Sequence, residues 1–298
     1  MINYIIKNKI GSSETICKTT FNFDEYIKVM PEHKKKLDSE FLEYFIGFFE
    51  GDGSFSMDYQ INRVQFSLYQ HKRDISFLYN IRTQLGFGRV FISKTRPDEA
   101  FLKISDQKNL LKIIHLLNGN LCTVKRRKQF EIFLNMFNKK YKKSISLKPG
   151  GPIVSLETAW LSGFIDAEGC FSCHLSKRRV NSRYFTVHPT FYISQKTKHI
   201  IEDIRNLFMK TESNVYLESS WNGYTFKSSG QKVRRKLIQY LQRYRLKTRK
   251  RIAYLNWKDI HFFVHEKRHL SDQGTKTIIN MVERIQKINK RVEDRVRS

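Results

Sequence analysis

Four carboxylates occupy matching positions in two short, similar phrases of this sequence, FIGFFEGDG and LSGFIDAEG. The last acids of the two phrases, Asp52 and Glu168, lie 116 positions apart, and Glu50 and Asp166 precede them by two residues. Two imperfect copies of one unusual phrase indicate an internal duplication. Paired carboxylates that recur in this way can hold a metal ion or take part in a reaction.

The helix expected in each phrase gives these acids an unusual position. An apolar run ends at a glycine, Gly53 or Gly169, and the glycine predicts a helix that stops in the left-handed conformation. The carboxylates then lie in the last helical turn, where the helix dipole costs a nearby anion about 0.3–1 kcal/mol. A placement repeated against local preference favours metal binding or catalysis over two ordinary core helices with solvated ends.

Small residues four apart predict how the two helices meet. They are Gly47 with Gly51, and Gly163 with Ala167. Residues at this spacing line one helix face and permit close backbone approach. If the helices pack along these faces, the final acids of the two phrases lie side by side.

The charge balance indicates what binds near these acids. The chain has 55 Lys and Arg against 28 Asp and Glu, a net charge of +27 and a pI near 10.0. Such an excess points to a polyanion, because each neutralised phosphate releases counterions. A membrane surface is the competing polyanion, but no run of 18 apolar residues occurs and the basic residues are spread along the chain. Nucleic acid is therefore the favoured partner.

The cysteines do not form a disulfide scaffold. Four of them, at positions 17, 122, 170 and 173, in a chain of 298 residues favour a reducing compartment. Cys170-Phe-Ser-Cys173-His174 also matches the C-x-x-C-H signature of haem attachment. The segment alternates as a strand, so the two thiols are expected on opposite faces and a haem or thiol protein is the weakest alternative.

Both halves of the chain repeat one order of elements. In the first half we predict strands from 54 to 62, over 63–69, 89–93 and 101–105, and helices over 74–85, 108–117 and 126–137. In the second half we predict strands over 170–176, 184–194, 214–219 and 224–228, and helices over 199–209, 232–243 and 250–261. This pattern predicts an α+β protein with two pseudo-symmetric αββαββα units, each with a curved four-stranded antiparallel sheet, joined through the two motif helices.

With these motifs, this repeat and the basic composition, the chain resembles the single-chain, two-motif LAGLIDADG homing endonucleases over roughly residues 38–262. The resemblance implies that the last acids of the motifs, Asp52 and Glu168, are catalytic. It also implies that they bind a divalent metal together with the main-chain carbonyls of the preceding residues, Gly51 and Ala167. Oxygen ligands suit Mg²⁺, and the implied reaction is phosphodiester hydrolysis.

The family also places a polar residue at the end of the second strand and a lysine before the last helices. Gln70 and Gln195 match the first position, and Lys125 and Lys250 match the second. Each lysine follows its glutamine by 55 positions, which favours this assignment over surface lysines in a lysine-rich chain. We expect Gln70 and Lys125 to serve one DNA strand and Gln195 and Lys250 the other.

The polar faces of the strands supply the expected DNA contacts, because Gln, Asn, Arg and Lys side chains distinguish bases. In the first half the candidates are Ser56, Asp58, Gln60, Asn62, Arg63, Gln65, Ser67, Phe91, Ser93 and Lys103. In the second half they are Ser172, His174, Ser176, Lys177, Arg178, Arg179, Arg183, Thr186, His188, Thr190, Tyr192 and Glu218. The basic residues from 177 to 183 lie in a longer hairpin, so we expect a long, non-palindromic site.

The repeat also predicts the domain boundaries. We expect an N-terminal extension over 1–37, motif domains over 38–143 and 157–262, a Pro- and Gly-rich linker over 144–156, and a basic helical tail over 263–298. The extension has no arginine and is interrupted by Glu14, Asp24 and Glu25, so it does not resemble a transit or signal peptide. The resemblance instead implies an intron-encoded protein made inside an organelle, a mitochondrion being favoured.

The resulting prediction is a monomeric endonuclease that cuts both strands of a long DNA site across the minor groove and leaves short 3′ overhangs. Double-stranded DNA is the expected partner and no membrane is involved. Two alternatives on the same scaffold stay open: an RNA maturase that binds its own group I intron, alone or in addition to cleavage, and a DNA-binding protein that does not cleave.

Overall fold

The computed structural model describes residues 20–34, 38–58, 60–61, 63–177, 185–210 and 214–293. The first unit consists of α1 (Asp24–Lys28), α2 (Ser39–Asp52), β1 (Gly53–Asp58), β2 (Arg63–His71), α3 (Ile75–Leu85), β3 (Arg89–Ile92), β4 (Glu99–Ile104), α4 (Gln107–Leu117) and α5 (Val124–Tyr141). The second unit consists of α6 (Trp160–Glu168), β5 (Gly169–Lys177), β6 (Phe185–Gln195), α7 (Lys198–Phe208), β7 (Val215–Glu218), β8 (Gly223–Ser228), α8 (Gln231–Arg243) and α9 (Lys250–His265). Helix α10 (Asp272–Glu293) comes last.

Each unit contains one four-stranded antiparallel sheet. The strand orders are β1-β2-β4-β3 and β5-β6-β8-β7, so the two sheets have the same topology. The α+β fold with two repeated units is therefore confirmed. Alternation explains the arrangement: Val64, Phe66 and Leu68 on β2 are buried against the helices, while the residues between them face the other side.

In the first hairpin, strand β1 is shorter than the strand that the sequence pattern predicts. Strand β1 ends at Asp58, and the Asp58 carboxylate accepts hydrogen bonds from the backbone N–H groups of Gln60 and Ile61 at 3.0 and 3.3 Å. An aspartate side chain that accepts a hydrogen bond from the backbone two residues later favours a turn, so the chain leaves the ladder of hydrogen bonds between strands at this point. Ile61, expected on the apolar face, is therefore 58% exposed in this turn.

The two motif helices form the centre of the molecule and pack closely against each other. A Cβ atom on Gly47 would collide with the carbonyl oxygen of Trp160, and one on Gly163 would collide with that of Tyr44. Both collisions involve backbone, so neither could be relieved by a rotamer change. The small-residue faces thus bring α2 and α6 together as predicted.

The glycines at the helix ends have a different role from the predicted one. Gly53 has φ −88° and Gly169 has φ −78°, so both are extended and not left-handed. Each helix passes directly into a strand at this point. A side chain is excluded for steric reasons, because a Cβ on Gly53 would meet the ring of Phe49 and one on Gly169 would lie 2.8 Å from the Ile165 side chain.

Both ends of the described chain pack onto the repeated units. Tyr26 of α1 is fully buried, and Asn22 donates its backbone N–H to Asn120 at 2.8 Å, so this part of the extension belongs to the core of the first unit. Helix α10 buries Ile278 and Ile285 against α9 and β5. No helix among the described residues is both long and apolar enough to cross a membrane.

Candidate active site

The last residues of α2 and α6 are the candidate catalytic acids, and each contacts one glutamine. The Gln70 side-chain amide donates to Asp52 Oδ2 at 2.7 Å, and the Gln195 amide donates to Glu168 Oε1 at 2.6 Å. Gln70 lies near the end of β2 and Gln195 ends β6, so equivalent strands supply them. The structure thus brings each predicted glutamine to the acid of its own unit.

The two acids lie close enough to influence each other's charge. Burial, and then the neighbouring Asp52 carboxylate, raise the pKa of Glu168 to about 7, while Lys250, Arg126 and Lys125 act in the opposite direction. Two like charges held together at partly buried positions make a cation between them favourable. The described residues contain no group of three or more His, Cys, Asp or Glu side chains that could hold a metal.

Two cationic side chains bind the backbone at the ends of these helices. Arg126 donates from Nε to the Glu50 carbonyl oxygen at 2.8 Å and from Nη2 to that of Gly51 at 2.9 Å. Lys250 donates from Nζ to the carbonyl oxygens of Ile165 and Ala167 at 3.0 and 3.1 Å. Cations at helix C-termini satisfy the last carbonyls and offset the dipole.

Arg126, and not the predicted Lys125, is therefore the counterpart of Lys250. Helix packing shows the reason: Phe55 contacts Phe130 and Phe133, four and seven residues after Arg126. In the second unit Phe171 contacts Tyr254 and Trp257, four and seven residues after Lys250. The equal spacing of 55 from each glutamine misses a one-residue shift at the start of α5. Lys125 is exposed at the edge of the site.

Two related cavities open beside the helix ends, and each is built from both units. The larger, about 470 Å³, is lined by Gly51, Lys125 and Arg126 of the first unit together with Glu168, Gln195 and Lys196 of the second. The smaller, about 70 Å³, is lined by Gln70, His71 and Arg73 of the first unit together with Ala167 and Lys250 of the second, and by Asn289 of α10.

These linings differ from the predicted pairing of glutamines with lysines. We expected Gln70 to act with Lys125 and Gln195 with Lys250. The cavities instead combine Gln195 with Lys125 and Arg126, and Gln70 with Lys250. The reason is the close contact of α2 with α6, which brings residues of both units to the wall of each cavity.

The polar face of the first sheet carries the described DNA-contact candidates. Register places Ser56 opposite Gln65, Ser67 opposite Lys103, and Phe91 opposite Phe101, all on one face. The same face carries Asp58 and Arg63, with Ser93 just beyond β3 and Gln60 in the turn; Asn62 lies outside the described residues. Gln65 and Ser67 are each only 8% exposed, because neighbouring strands cover them on both sides, so they are poorly placed to reach a base.

The second sheet presents a similar face. Ser172, His174, Ser176, Thr186, His188, Thr190 and Tyr192 alternate with core residues along β5 and β6, and Glu218 lies on β7. His188 and Ser176 contact each other at 3.2 Å, and His174 pairs with His188 across the strands. Lys177 ends β5 and is exposed, while Arg178, Arg179 and Arg183 lie outside the described residues.

Strand register also shows residues that the sequence reasoning missed. Arg89, Phe101 and Lys227 lie on the same faces as the predicted contacts. These residues could be assigned to the polar faces only from the pairing of β4 with β3 and of β8 with β6. Alternation along a single strand does not reveal that pairing. Cys170 lies on the polar face of β5 and Cys173 in the core, which confirms that the two thiols point to opposite sides.

Fold and site together define a two-unit α+β protein whose paired helix-end carboxylates lie between two polar sheets. A family model described as LAGLIDADG endonuclease matches residues 45–141 and 161–261, which cover most of both units. The chain belongs to the LAGLIDADG endonuclease family.

Sequence relatives include two fungal proteins that are named as intron-encoded. The chain is 34% identical over 281 residues to "Probable intron-encoded endonuclease 4" of Neurospora crassa, which covers 94% of this chain and 48% of the relative. It is 24% identical over 192 residues to "Intron-encoded RNA maturase bI4" of Saccharomyces cerevisiae, which covers 64% of this chain and 27% of the relative. The chain thus spans about half the length, or less, of these relatives.

Solved structures of the same fold include DNA complexes. The homing endonuclease I-LtrWI bound to target DNA matches with a TM-score of 0.69 and 21% identity, over 82% of this chain and 97% of that one. The meganuclease I-AabMI bound to uncleaved DNA matches with a TM-score of 0.68 and 22% identity, over 81% of this chain and 98% of that one. At these identities the likeness establishes the fold.

Proposed function

We propose that this protein is a homing endonuclease that makes a double-strand break in a long, asymmetric DNA site. The observation that carries the proposal is the pair of carboxylates, Asp52 and Glu168, at equivalent helix ends, each held by a glutamine from the second strand of its own sheet. The polar sheets on either side offer a surface for duplex DNA, and two cavities offer one reaction centre for each strand. Cleavage across the minor groove would leave short 3′ overhangs.

The residues of the site fit a hard divalent cation. Two carboxylates and two main-chain carbonyls, those of Gly51 and Ala167, supply only oxygen, which suits Mg²⁺ that keeps several waters. Arg126 and Lys250 already bind these carbonyls, but a carbonyl oxygen has two lone pairs and can accept a second partner. When bound, the metal would act as a Lewis acid toward the phosphate and activate water.

The chain's own side chains prepare the reaction in three ways. Gln70 and Gln195 fix the orientation of the two carboxylates, so that their oxygens need no reorganisation when substrate binds. Arg126 and Lys250 place positive charge beside the centre, where negative charge grows on the phosphate. Burial lowers the pKa of Lys250, while Asp166, Asp52 and Glu168 act in the opposite direction and favour its charged form.

A cleavage assay tests the proposal. Purified protein is offered a pool of long duplexes that includes the uninterrupted exon junction of its host intron, with Mg²⁺ and then with EDTA. We expect a double-strand cut that EDTA abolishes and that Asp52→Asn with Glu168→Gln removes. The matched control, Glu131→Gln with Glu283→Gln, changes charge equally at two exposed helix positions and should cut normally. A cut undiminished by the first double variant would contradict the assignment.

An RNA maturase is the second candidate, and the similarity to the yeast maturase over 64% of this chain favours it. Binding of the protein to its own intron RNA, followed by restored splicing in vitro, would establish this activity. The intact acids, each with its glutamine, favour cleavage over a DNA-binding role alone. We also propose that the protein acts as a monomer and originates in a mitochondrial intron, in line with its fungal intron-encoded relatives.

A further inference from the structure

Two buried acids connect the units at the centre of the molecule. Glu50 and Asp166 lie two residues before the candidate catalytic acids, and each is 3% exposed. From the sequence, these acids were grouped with the metal-binding or reacting carboxylates. In the structure each lies in the wall of one cavity, but protein donors occupy its carboxylate oxygens, so these acids have another role.

Glu50 binds one loop of its own unit and one side chain of the other. Its carboxylate accepts from the backbone N–H of Cys122 at 3.0 Å, and from the N–H and hydroxyl of Thr123 at 2.7 and 2.8 Å. The fourth donor is the indole Nε1–H of Trp160 on α6, at 2.6 Å. Trp160 is 1% exposed, so water cannot easily replace its N–H.

Asp166 repeats this arrangement in the opposite direction. Its carboxylate accepts from the backbone N–H groups of Lys247 and Thr248 at 2.5 and 3.2 Å, and from the Thr248 hydroxyl at 2.6 Å. The fourth donor is the hydroxyl of Tyr44 on α2, at 2.6 Å. Tyr44 and Trp160 occupy matching positions on the two motif helices, and both are almost fully buried.

The loops held in this way lead directly to the cationic residues of the site. Thr123 caps α5 and lies three residues before Arg126, and Thr248 lies two residues before Lys250. We infer that Trp160 and Tyr44 are positioning residues that act across the interface, Trp160 holding Arg126 through Glu50 and Tyr44 holding Lys250 through Asp166. This inference rests on the proposed function, since the cations matter only if the site cleaves DNA.

The energetic argument concerns an unpaired buried acceptor. Removing one donor from a buried carboxylate costs more than the bond itself, because no water takes the donor's place. The remaining donors belong to one loop, so that loop is the part that must move in response. Since Arg126 and Lys250 point into different cavities, each aromatic residue should affect one reaction centre only.

Separate measurement of the two strands tests this inference. A duplex target labelled on one strand or the other is cut in Mg²⁺, and Arg126→Gln and Lys250→Gln identify which strand each cation serves. Trp160→Phe should then slow, by about tenfold, the strand that Arg126→Gln slows, and leave the other within about twofold. Tyr44→Phe should slow the strand that Lys250→Gln slows. A general loss of folding would not reverse the preference between two variants.

Two matched substitutions control for the loss of buried aromatic groups. Trp257 is fully buried and its indole N–H has no partner in the described structure, so Trp257→Phe changes ring size without removing a hydrogen bond. Tyr240 is also buried, and its hydroxyl accepts from the Ser162 N–H and donates to the Thr158 carbonyl oxygen, neither of which belongs to the two loops, so Tyr240→Phe removes a different buried hydrogen bond. Both variants should keep the wild-type ratio of strand rates.

Unfolding measurements separate this inference from the proposed function. In a double-variant cycle, the destabilisations by Trp160→Phe and Glu50→Gln should not add, because both remove the same contact. Additive effects would overturn the cross-unit contact whether or not the protein cuts DNA. Equal slowing of both strands by either aromatic variant would overturn the positioning role, while a wild-type protein that cuts neither strand contradicts the proposed function.

Discussion

Because Gly47 and Gly163 have no side chain, the two motif helices can approach each other closely. At both positions the space for a Cβ is filled by a carbonyl oxygen of the facing helix. The cavities are built from both units, so this separation also sets the distance between Glu168 and Arg126 across the larger cavity. The stability of the protein and the geometry of the candidate site therefore depend on the same two glycines.

We predict that Gly163→Ala destabilises the protein by about 1–3 kcal/mol or more, because the added methyl must push the helices apart. The control is Gly230→Ala, immediately before α8. There the nearest atom to a new Cβ is the Ser228 hydroxyl oxygen at 3.6 Å, an ordinary van der Waals contact. Thermal unfolding of the two variants measures the difference. Equal melting temperatures would contradict the close contact.

A buried histidine makes the stability of the second unit sensitive to acid. His261 is 2% exposed, and its Nδ1 accepts a hydrogen bond from Arg234 Nε at 3.1 Å, which requires that nitrogen to be unprotonated. Burial, followed by the charges of Arg234, His265 and Arg235, lowers the pKa of His261 from 6.5 to about 4. The folded protein therefore holds this histidine neutral where the unfolded chain would protonate it.

The sign of the pH effect follows from this difference. Between pH 6.5 and about 4 the unfolded state binds more protons, so the free energy of unfolding falls as pH is lowered through this range. We predict that His261→Gln, which retains an acceptor but does not titrate, weakens this fall. Urea unfolding of both proteins at several pH values between 7 and 4 measures it. Parallel pH profiles would contradict the prediction.

At the scale of elements, sequence patterning predicted most helices and strands, because alternation and helical period are local properties. Sequence patterning missed Arg126, because the interval of 55 positions from Gln70 leads to Lys125 and does not show where α5 begins. It grouped Glu50 with the reacting acids, although only the loop around Thr123 and the indole of Trp160 reveal its role. The small-residue faces predict that the two helices meet, but which side chains of one unit reach the acids of the other depends on how the helices cross.

Helix α10 is the element that makes the two sites unequal. It lies outside the segments matched by the family model, packs on α9 and β5, and donates from Asn289 to the Phe171 carbonyl oxygen at 2.9 Å. Asn289 and Ile288 also line the smaller cavity, and no equivalent helix lies beside the larger one among the residues that line it. The two cavities thus differ in volume and in the elements that line them.

We predict that α10 depends on its apolar face for attachment. Ile285 is 1% exposed, and Ile285→Ala should destabilise the protein by about 2–5 kcal/mol, because the lost burial leaves a cavity. Gln286→Ala, one residue on and exposed, is the control and should have little effect. Chemical unfolding measures both. If the two variants unfold alike, the helix is not held by this face.

At the scale of the whole molecule, the chain has a net charge of +27, with basic residues spread along its length. General attraction to DNA would involve all of this charge, whereas a defined interface would involve only the polar sheet faces. The two cases differ in which lysines determine the salt dependence of binding. Lys227 is exposed on the polar face of β8, and Lys139 is exposed at the end of α5 in the helical layer.

We predict that Lys227→Gln lowers the slope of log affinity against log salt concentration by about 0.9, the value for one lost phosphate contact on duplex DNA. Lys139→Gln removes the same charge from the helical layer and should leave the slope unchanged. Fluorescence anisotropy with a labelled duplex, over a series of salt concentrations, gives both slopes. Since both variants have the same net charge, a difference between them locates the DNA on the sheets. Equal slopes would instead mean that the basic surface attracts DNA without a defined contact face.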